Sequence, residues 1–429
     1  MIVTLFKLLS VIMNLCILII IGKQISKRNF SLFFLLTIVF EVFFVLPIFL
    51  DILVGEPNLE KYKGFYISQK DQLTNIIYTI FVSIVPYVFY FEGKKTARSI
   101  GANNIQEICN NFLEKVNLSK VTILGLSLLS LLPVWLALFS PRPQNYFFDF
   151  AHFFNNTDAI GYEYHTSIMY IGLYIALISV LILKLFSKKN DLFSNYIVIV
   201  SIFFILWFCG KRTLPSLAIM GIVMINIIRL PKGKTIWKDL FAGGFLIIAF
   251  FFIYIILTDK RLVGLDSYDV MRVYFGRDDE VKMAIYSLLY PDKMKILDFW
   301  GQSYMFILTF FIPRSIWPNK PWPYATYFTS SLVGLESTRY LGWHMTTSWF
   351  GESIANFGWF GFLIGVWLFI KFIKISEKRD SVVVVVISTV TLSMLMVLQF
   401  SANIKFIFIW ILSLIIFNNK KKKQKSIKI

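Results

Sequence analysis

Charge is scarce in this sequence, and acidic charge scarcest of all. Of 429 residues only 16% are Asp, Glu, Lys or Arg, and 25 acidic side chains stand against 43 basic ones. A soluble chain typically carries about 25% charged and roughly 45–50% apolar residues. Here 57% are hydrophobic and the mean hydropathy is +0.68, which excludes an ordinary soluble domain. Cysteine is nearly missing: Cys16, Cys109 and Cys209 are scattered and odd in number, so neither a disulfide framework nor metal-ligand spacing is available. There is no phosphate-cradling P-loop, and no metal or other cofactor is expected. The first apolar run has no basic leader and no small-residue cleavage site, and is read as a retained helix.

What is present is a succession of apolar runs of roughly 18 or more residues, the signature of a polytopic all-α membrane protein. Eleven spans (10–12) are predicted, at about 2–22, 30–54, 75–91, 121–140, a fifth ending at Lys184, 192–209, 213–228, 240–258, 357–370, 382–400 and 404–417. The net charge of +18 comes from lysines and arginines in short connections and in a tail running from Lys420 to Lys428. With the amino terminus outside and the carboxyl terminus in the cytoplasm, every basic cluster falls on the cytoplasmic side. Nucleic-acid binding is therefore not expected.

The chain divides into membrane helices over 1–258, a long external stretch over 259–351, further membrane helices over 352–417 and a basic tail over 418–429. Within the external stretch, 302–317 is apolar but short and interrupted by Pro313-Arg314, so it reads as re-entrant or interfacial. Spacing of Ile105, Ile108, Cys109, Phe112, Leu113 and Val116 predicts an amphipathic helix on the inner leaflet. Lys7 is placed where it can snorkel, and Glu41, near mid-membrane, is read as one half of a buried salt bridge with an arginine.

Residues 310–361 stand apart from the rest. They hold four prolines, five tryptophans, Arg314, Arg339, His344 and Glu352, a composition that lipid cannot accommodate. FIPRSIWPNKP at 311–321 resembles the PR…WP.KP segment of oligosaccharide repeat-unit polymerases, the Wzy-type O-antigen polymerase family. SWFGESIANFG at 348–358, followed by Gly361, is similar to the way those proteins enter the next helix, and Gly210-Lys211-Arg212 resembles their basic outer turn. One departure is that none of the outer arginines has a glycine eleven residues later, so the family's Arg-x10-Gly spacing is missing.

The resemblance implies a glycosyltransferase. It would move a growing glycan from undecaprenyl pyrophosphate onto the non-reducing end of a lipid-linked repeat unit, at the outer face. A flippase and a chain-length regulator in the same membrane would be its partners. The chemistry needs a base for the acceptor hydroxyl and fixed cations for the departing pyrophosphate. His344 and Glu352 are the candidate bases, and Arg314 is the third catalytic candidate. Arg212, Lys211, Arg272, Arg277, Lys320 and Arg339 are candidate anion contacts, with Trp322 and Trp343 as sugar-stacking candidates.

Each has a plainer reading. Arg272 and Arg277 fit an exposed helix face, Glu352 fits a helix cap, and Asp278-Asp279-Glu280 fit a solvated face rather than a metal site. The tryptophans fit an interfacial belt, and Asn356 and Gly358 fit close helix packing. The rival functions are an O-antigen ligase-like transferase, a transferase using lipid-monophosphate sugars, and a flippase or transporter. Against the second, the first outer loop, GEPNLEKYKG, has no acidic pair. Against the last, no internal repeat is visible.

Overall fold

The computed structural model describes residues 2–27, 31–100, 120–150, 162–187, 191–209, 213–228, 237–238, 241–246, 249, 253, 266–335, 343–378 and 381–416. Every regular element among them is helical. In chain order, α1 is Ile2–Ser26, α2 is Leu32–Phe40, a π-helical turn covers Glu41–Val45, and α3 is Leu46–Leu53. Then come α4 (Lys63–Lys70), α5 (Gln72–Ile100), α6 (Lys120–Ser130), α7 (Leu132–Leu138) and α8 (Pro143–Phe148). They are followed by α9 (Tyr162–Phe186), α10 (Leu192–Cys209) and α11 (Thr213–Ile228).

Among the described residues, six helices are long and apolar enough to cross a membrane: Ile2–Ser26, Leu32–Leu53, Gln72–Thr96, Ile168–Phe186, Leu192–Cys209 and Trp359–Glu377. A seventh span is possible if α6 and α7, bent by 55° at their junction, count as one. Shorter apolar helices at Leu217–Asn226, Val383–Val397 and Ser401–Ile416 fall where the sequence predicts further spans. The chain is thus a helical membrane protein. The amphipathic stretch at 105–116, most of the predicted span at 240–258 and the lysine tail lie outside the described residues.

α1 shows the pattern lipid imposes. Its polar side chains Ser10 and Asn14 are buried, while Leu5, Leu9, Ile12 and Ile19 are exposed. Ser83 Oγ donates to Ser10 Oγ at 2.9 Å and Tyr87 Oη to the Met13 carbonyl at 3.0 Å, so α1 and α5 run parallel. The α2–α3 segment is antiparallel to α5, with Phe33 against Phe89 and Phe40 against Phe81. The end at which α1 and α5 begin is called the upper end below.

The upper end is organised by two segments that enter the bundle without crossing it. α12 (Ser267–Phe275) descends: Tyr268 Oη donates to the Gly55 carbonyl, and further down Phe275 stacks on Phe43 at 5.1 Å. The chain turns at Gly276-Arg277, where the Arg277 amide donates to the Phe43 carbonyl at 3.0 Å. α13 (Asp278–Leu289) climbs back, until Tyr290 Oη donates to Asp71 Oδ1 at 3.1 Å. Phe43 precedes the end of α3 by about 15 Å of helix, half the roughly 30 Å hydrocarbon thickness.

α14 (Gln302–Leu308) and α15 (Tyr324–Val333) lie between the two entering segments. The second entering segment is α16 (Trp349–Phe357), whose first turn puts Phe350 against Phe40, Phe44, Phe81 and Phe369. Gly358, at φ +57°, reverses the chain into α17 (Trp359–Glu377), which runs back antiparallel to α16. Trp349 Nε1 donates to the Gly365 carbonyl at 2.8 Å across this hairpin. α18 (Val382–Val397), a short 3-10 turn (Ser401–Asn403) and α19 (Ile404–Ile416) complete the described chain.

The α16–α17 contact is close enough that a Cβ on Gly361 would collide with the Ser353 carbonyl oxygen, which is backbone and cannot yield. Gly361→Ala should therefore lower the stability of the purified protein by about 1–3 kcal/mol, read as a fall in melting temperature. Gly125→Ala, with open space around the new methyl, is the matched control and should not.

Candidate functional site

The tips and walls of the two entering segments carry the buried charge. Arg272, only 1% exposed, sends Nη2 to Asp51 Oδ1 at 2.9 Å and to Asp278 Oδ2 at 3.0 Å, with Nη1 on Asp278 Oδ1 at 3.1 Å. This forked contact ties α12 to α3 and to the foot of α13. Lys282, one turn above Asp278, donates to Asp278 Oδ2 at 2.8 Å and lies 3.6 Å from Asp279. On the far side of Asp51, Lys7 of α1 pairs with Asp51 at 3.4 Å and with Glu56 at 2.8 Å. Four helices, α1, α3, α12 and α13, are pinned through one ionic network.

Several sequence expectations change here. Arg272 and Arg277 do not lie on a solvated face: both are buried. Arg277 donates Nε to the Val397 carbonyl at 3.0 Å and Nη1 to the Gly276 carbonyl at 2.6 Å. Asp278, Asp279 and Glu280 are buried as well, because residues 278–286 of α13 are packed on all sides rather than on one. Lys7 does not snorkel; it is held in the network. Among the described residues Glu41 has no arginine partner: it is buried in the π-turn, with Oε1 unbonded.

A second set of contacts joins α13, α16 and the chain after α18. Ser348 caps α16, accepting from the Gly351 amide, and donates Oγ to Glu280 Oε2 at 2.6 Å. Gly351 has no room for a side chain, since a Cβ there would meet the Glu280 carboxylate. Glu352 does not cap its own helix; Ser348 does. Instead Glu352 accepts from Ser303 Oγ at 2.9 Å and from the Phe400 amide at 2.7 Å. Asn356 accepts from the Ser303 amide and donates to Ser303 Oγ, so it packs α14 on α16 through hydrogen bonds. Gly361 makes the close helix contact, and Gly358 makes the turn.

Burial pushes the Glu280 carboxyl up to about 8 and that of Glu352 up to about 7, in helices that do not cross the membrane. Asp279 is raised to about 7 by burial and then by neighbouring Asp278, whereas Asp278, despite its burial, is held low by Arg272 and Lys282. A carboxyl raised in the fold adds stability that is complete below its unfolded value and is lost as pH rises through the folded one. For Glu280 that window runs from the usual 4.5 to about 8. Melting temperature should therefore fall across this interval, and Glu280→Gln should flatten the fall.

The Pro-Arg…Trp-Pro…Lys-Pro segment forms a self-locking loop. Arg314 donates Nη1 to the Lys320 carbonyl at 2.6 Å and Nη2 to the Pro321 carbonyl at 2.8 Å, with its guanidinium stacked 3.3 Å over Trp322. Lys320 donates Nζ to the Phe310 and Ile312 carbonyls, each at 3.0 Å. Both cations thus satisfy loop carbonyls in this conformation. Arg314→Ala should open the loop, read as faster proteolytic cleavage within 309–322, and Arg314→Lys should restore little because it cannot form the fork. Of the apolar segment 302–317, only Gln302–Leu308 is helical, and it does not cross the bundle.

His344 and Trp343 are exposed, and His344 makes no hydrogen bond among the described residues. They precede the segment that enters the bundle, which is fixed by Met345 N donating to Thr329 Oγ1 at 2.9 Å. His165, by contrast, is engaged by Tyr146 and the Leu136 carbonyl. Lys211, Arg212 and Arg339 lie outside the described residues. Among the described residues, no group of three or more His, Cys, Asp or Glu could hold a metal.

Sequence reading missed Asp51, Lys282, Ser303 and Ser348. The i,i+4 spacing of Asp278 and Lys282, and Asp51 near the end of an apolar run, were the available signals.

Comparison with protein-family models, with curated proteins and with solved structures finds no match to this chain.

Proposed function

We propose that this protein is a polymerase of a bacterial surface polysaccharide. It would span the cytoplasmic membrane eleven times with the upper end outside, and would transfer a growing glycan from undecaprenyl pyrophosphate to a lipid-linked repeat unit. The observation that carries the reading is His344, exposed and without a hydrogen bond among the described residues, four residues before the SWFGESIANFG stretch that resembles repeat-unit polymerases. That stretch and the Arg314 loop form one platform, since α14 leads into the loop and is bonded through Ser303 to Glu352 and Asn356 of α16.

In this reading His344 takes the proton from the acceptor hydroxyl, and Glu352 keeps α16 and the chain after α18 in place beneath it. Trp343 offers a ring for a sugar face. Arg272, Arg277, Arg314 and Lys320 hold the scaffold in this conformation, so Lys211, Arg212 and Arg339 are the proposed contacts of the departing pyrophosphate. A flippase and a chain-length regulator are the proposed neighbours.

A second reading is favoured by one feature: helical segments that enter from one end, with carboxylates at their feet, occur in transporters. The size distribution of surface glycan in a strain lacking the gene separates the readings. Glycan stopped at a single repeat supports the polymerase. Long lipid-linked chains left untransferred indicate a ligase. Loss of all outward repeats indicates a flippase, and an unchanged ladder removes the protein from this pathway.

A further inference from the structure

Between α13 and α15 the chain carries an apolar surface that the bundle does not cover. Trp300, Met305, Leu308, Phe310, Phe311 and Ile316 are each between 42% and 75% exposed. On α14 the division is by face, with Gln302 and Ser303 buried and Met305 and Leu308 exposed. From Phe299 to Trp317 the only charged residue is Arg314, and its guanidinium is folded onto the Lys320 and Pro321 carbonyls and over Trp322. A contiguous apolar surface of this size is rare on a face that meets only water.

Position says what covers it. A Cβ on Gly358 would come 3.8 Å from the Trp300 ring, and the Gly301 amide donates to the Asn356 carbonyl at 3.1 Å. Gly358 immediately precedes α17, a helix long and apolar enough to cross a membrane, whose Trp359, Phe360 and Leu363 are exposed. Phe362 meets Phe81 at 5.4 Å and Phe369 meets Phe89 at 5.8 Å. Trp359 is therefore about level with Tyr78, roughly 9 Å below the first residue of α5. The uncovered surface thus continues the lipid-facing side of α17 near its upper end.

The backbone points the same way. Lys320 Nζ is spent on the Phe310 and Ile312 carbonyls, and Arg314 on those of Lys320 and Pro321. The Ile312 amide donates to the Thr309 carbonyl, those of Ile316 and Trp317 to the Pro313 carbonyl, and Pro313, Pro318 and Pro321 have no amide hydrogen to place. A loop in bulk water has its carbonyls solvated and needs no such donors, whereas one at the edge of lipid must satisfy them internally.

We propose that residues 299–317 form a lip seated in the upper leaflet, where headgroups meet acyl chains, with Arg314 and Lys320 as the internal donors that let an irregular backbone lie there. Its depth is that of an interfacial segment, about 5–10 Å, and not the bilayer centre. The Pro-Arg…Trp-Pro…Lys-Pro segment then seats this end of the protein on the membrane, whichever functional reading holds.

The test uses the full-length protein in phosphatidylcholine liposomes, with Cys16, Cys109 and Cys209 replaced by alanine. One nitroxide-labelled cysteine is introduced at a time, as Leu308→Cys, Phe311→Cys or Ile316→Cys, with Asp292→Cys, at an exposed acidic position, as the reference. Collision with oxygen, which concentrates in lipid, and with a water-soluble nickel chelate gives the depth of each label. The three labels should lie about 5–10 Å below the lipid phosphates and the Asp292→Cys label above them. Lys320→Met, which removes the donor to the Phe310 and Ile312 carbonyls, should shift the Phe311→Cys label toward water. With the natural cysteines in place, quenching of tryptophan fluorescence by lipids brominated high on the acyl chain should fall in Trp300→Phe. Nickel access at the three positions equal to that of Asp292→Cys, or unchanged quenching in Trp300→Phe, would overturn the proposal in favour of a solvated loop. Shielding from both oxygen and nickel would overturn it in favour of a protein partner, a second copy included. An unmoved Phe311→Cys label in Lys320→Met would overturn the part given to Lys320.

Discussion

Replacing Arg272 with alanine should leave little folded protein in the membrane. The side chain is 1% exposed and is the link between Asp51 and Asp278, both of which are buried. Burial disfavours its charge, and Asp278, Asp279 and Asp51 more than offset that cost. Removing one member of a buried ionic set typically costs about 3–5 kcal/mol, because the remaining charges stay buried without compensation. Against a total stability of about 5–15 kcal/mol, that loss is severe. Arg272→Lys should rescue only part of it, since one ammonium cannot reproduce the two-pronged contact with Asp278 and the bond to Asp51. The measurement is the monodisperse fraction after solubilisation, followed by melting temperature. Near-normal yield of Arg272→Ala would show that the network is not the keystone of the upper end.

His344→Ala should do the opposite: it should spare the fold and remove the activity. Exposed surface substitutions away from special contacts usually change stability by within about 0.5 kcal/mol, and among the described residues His344 has no hydrogen bond to lose. A general base contributes about 10²–10⁴-fold to rate, so if His344 is the base of the proposed polymerase, chain elongation should fall by that factor at equal protein level. Glu352→Ala supplies the contrast. Two donors, Ser303 Oγ and the Phe400 amide, would be left without their acceptor, so its loss of activity should track a loss of stability. Glu352→Gln keeps one acceptor oxygen, for the Phe400 amide, and turns an NH2 toward Ser303 Oγ, which can accept it, so it should recover much of both. If His344→Ala polymerised normally while Glu352→Gln was folded and inactive, the two roles would be reversed.

The helical, membrane-embedded character of the chain was legible in its composition, and the described long apolar helices fall at predicted spans. What the sequence hid was the depth of the upper stretch. α13 begins Asp-Asp-Glu, which reads as solvated because local pattern prices each acid alone. The cations that neutralise Asp278 come from Arg272 on another helix and from Lys282 one turn on. Periodicity could not locate those contacts, since a helix packed on every side has no polar face. Arg314 shows the same limit from the other direction. A charge after proline in an apolar run signals a function, yet here its donors close a loop on the carbonyls of Lys320 and Pro321. Ser348 and Glu352 stand in a motif that was recognised, but the motif did not reveal that they bind Glu280 and the Phe400 amide from distant parts of the chain.

The most direct test of the central claim is polymerisation by the purified protein. Wild type and His344→Ala would be reconstituted in liposomes with one undecaprenyl-pyrophosphate-linked repeat unit as the only substrate, and the lipid-linked products resolved by length. The account predicts a ladder of longer glycans with wild type and a single band with His344→Ala, at equal reconstituted protein. A single band with both proteins, or a ladder with both, would contradict it.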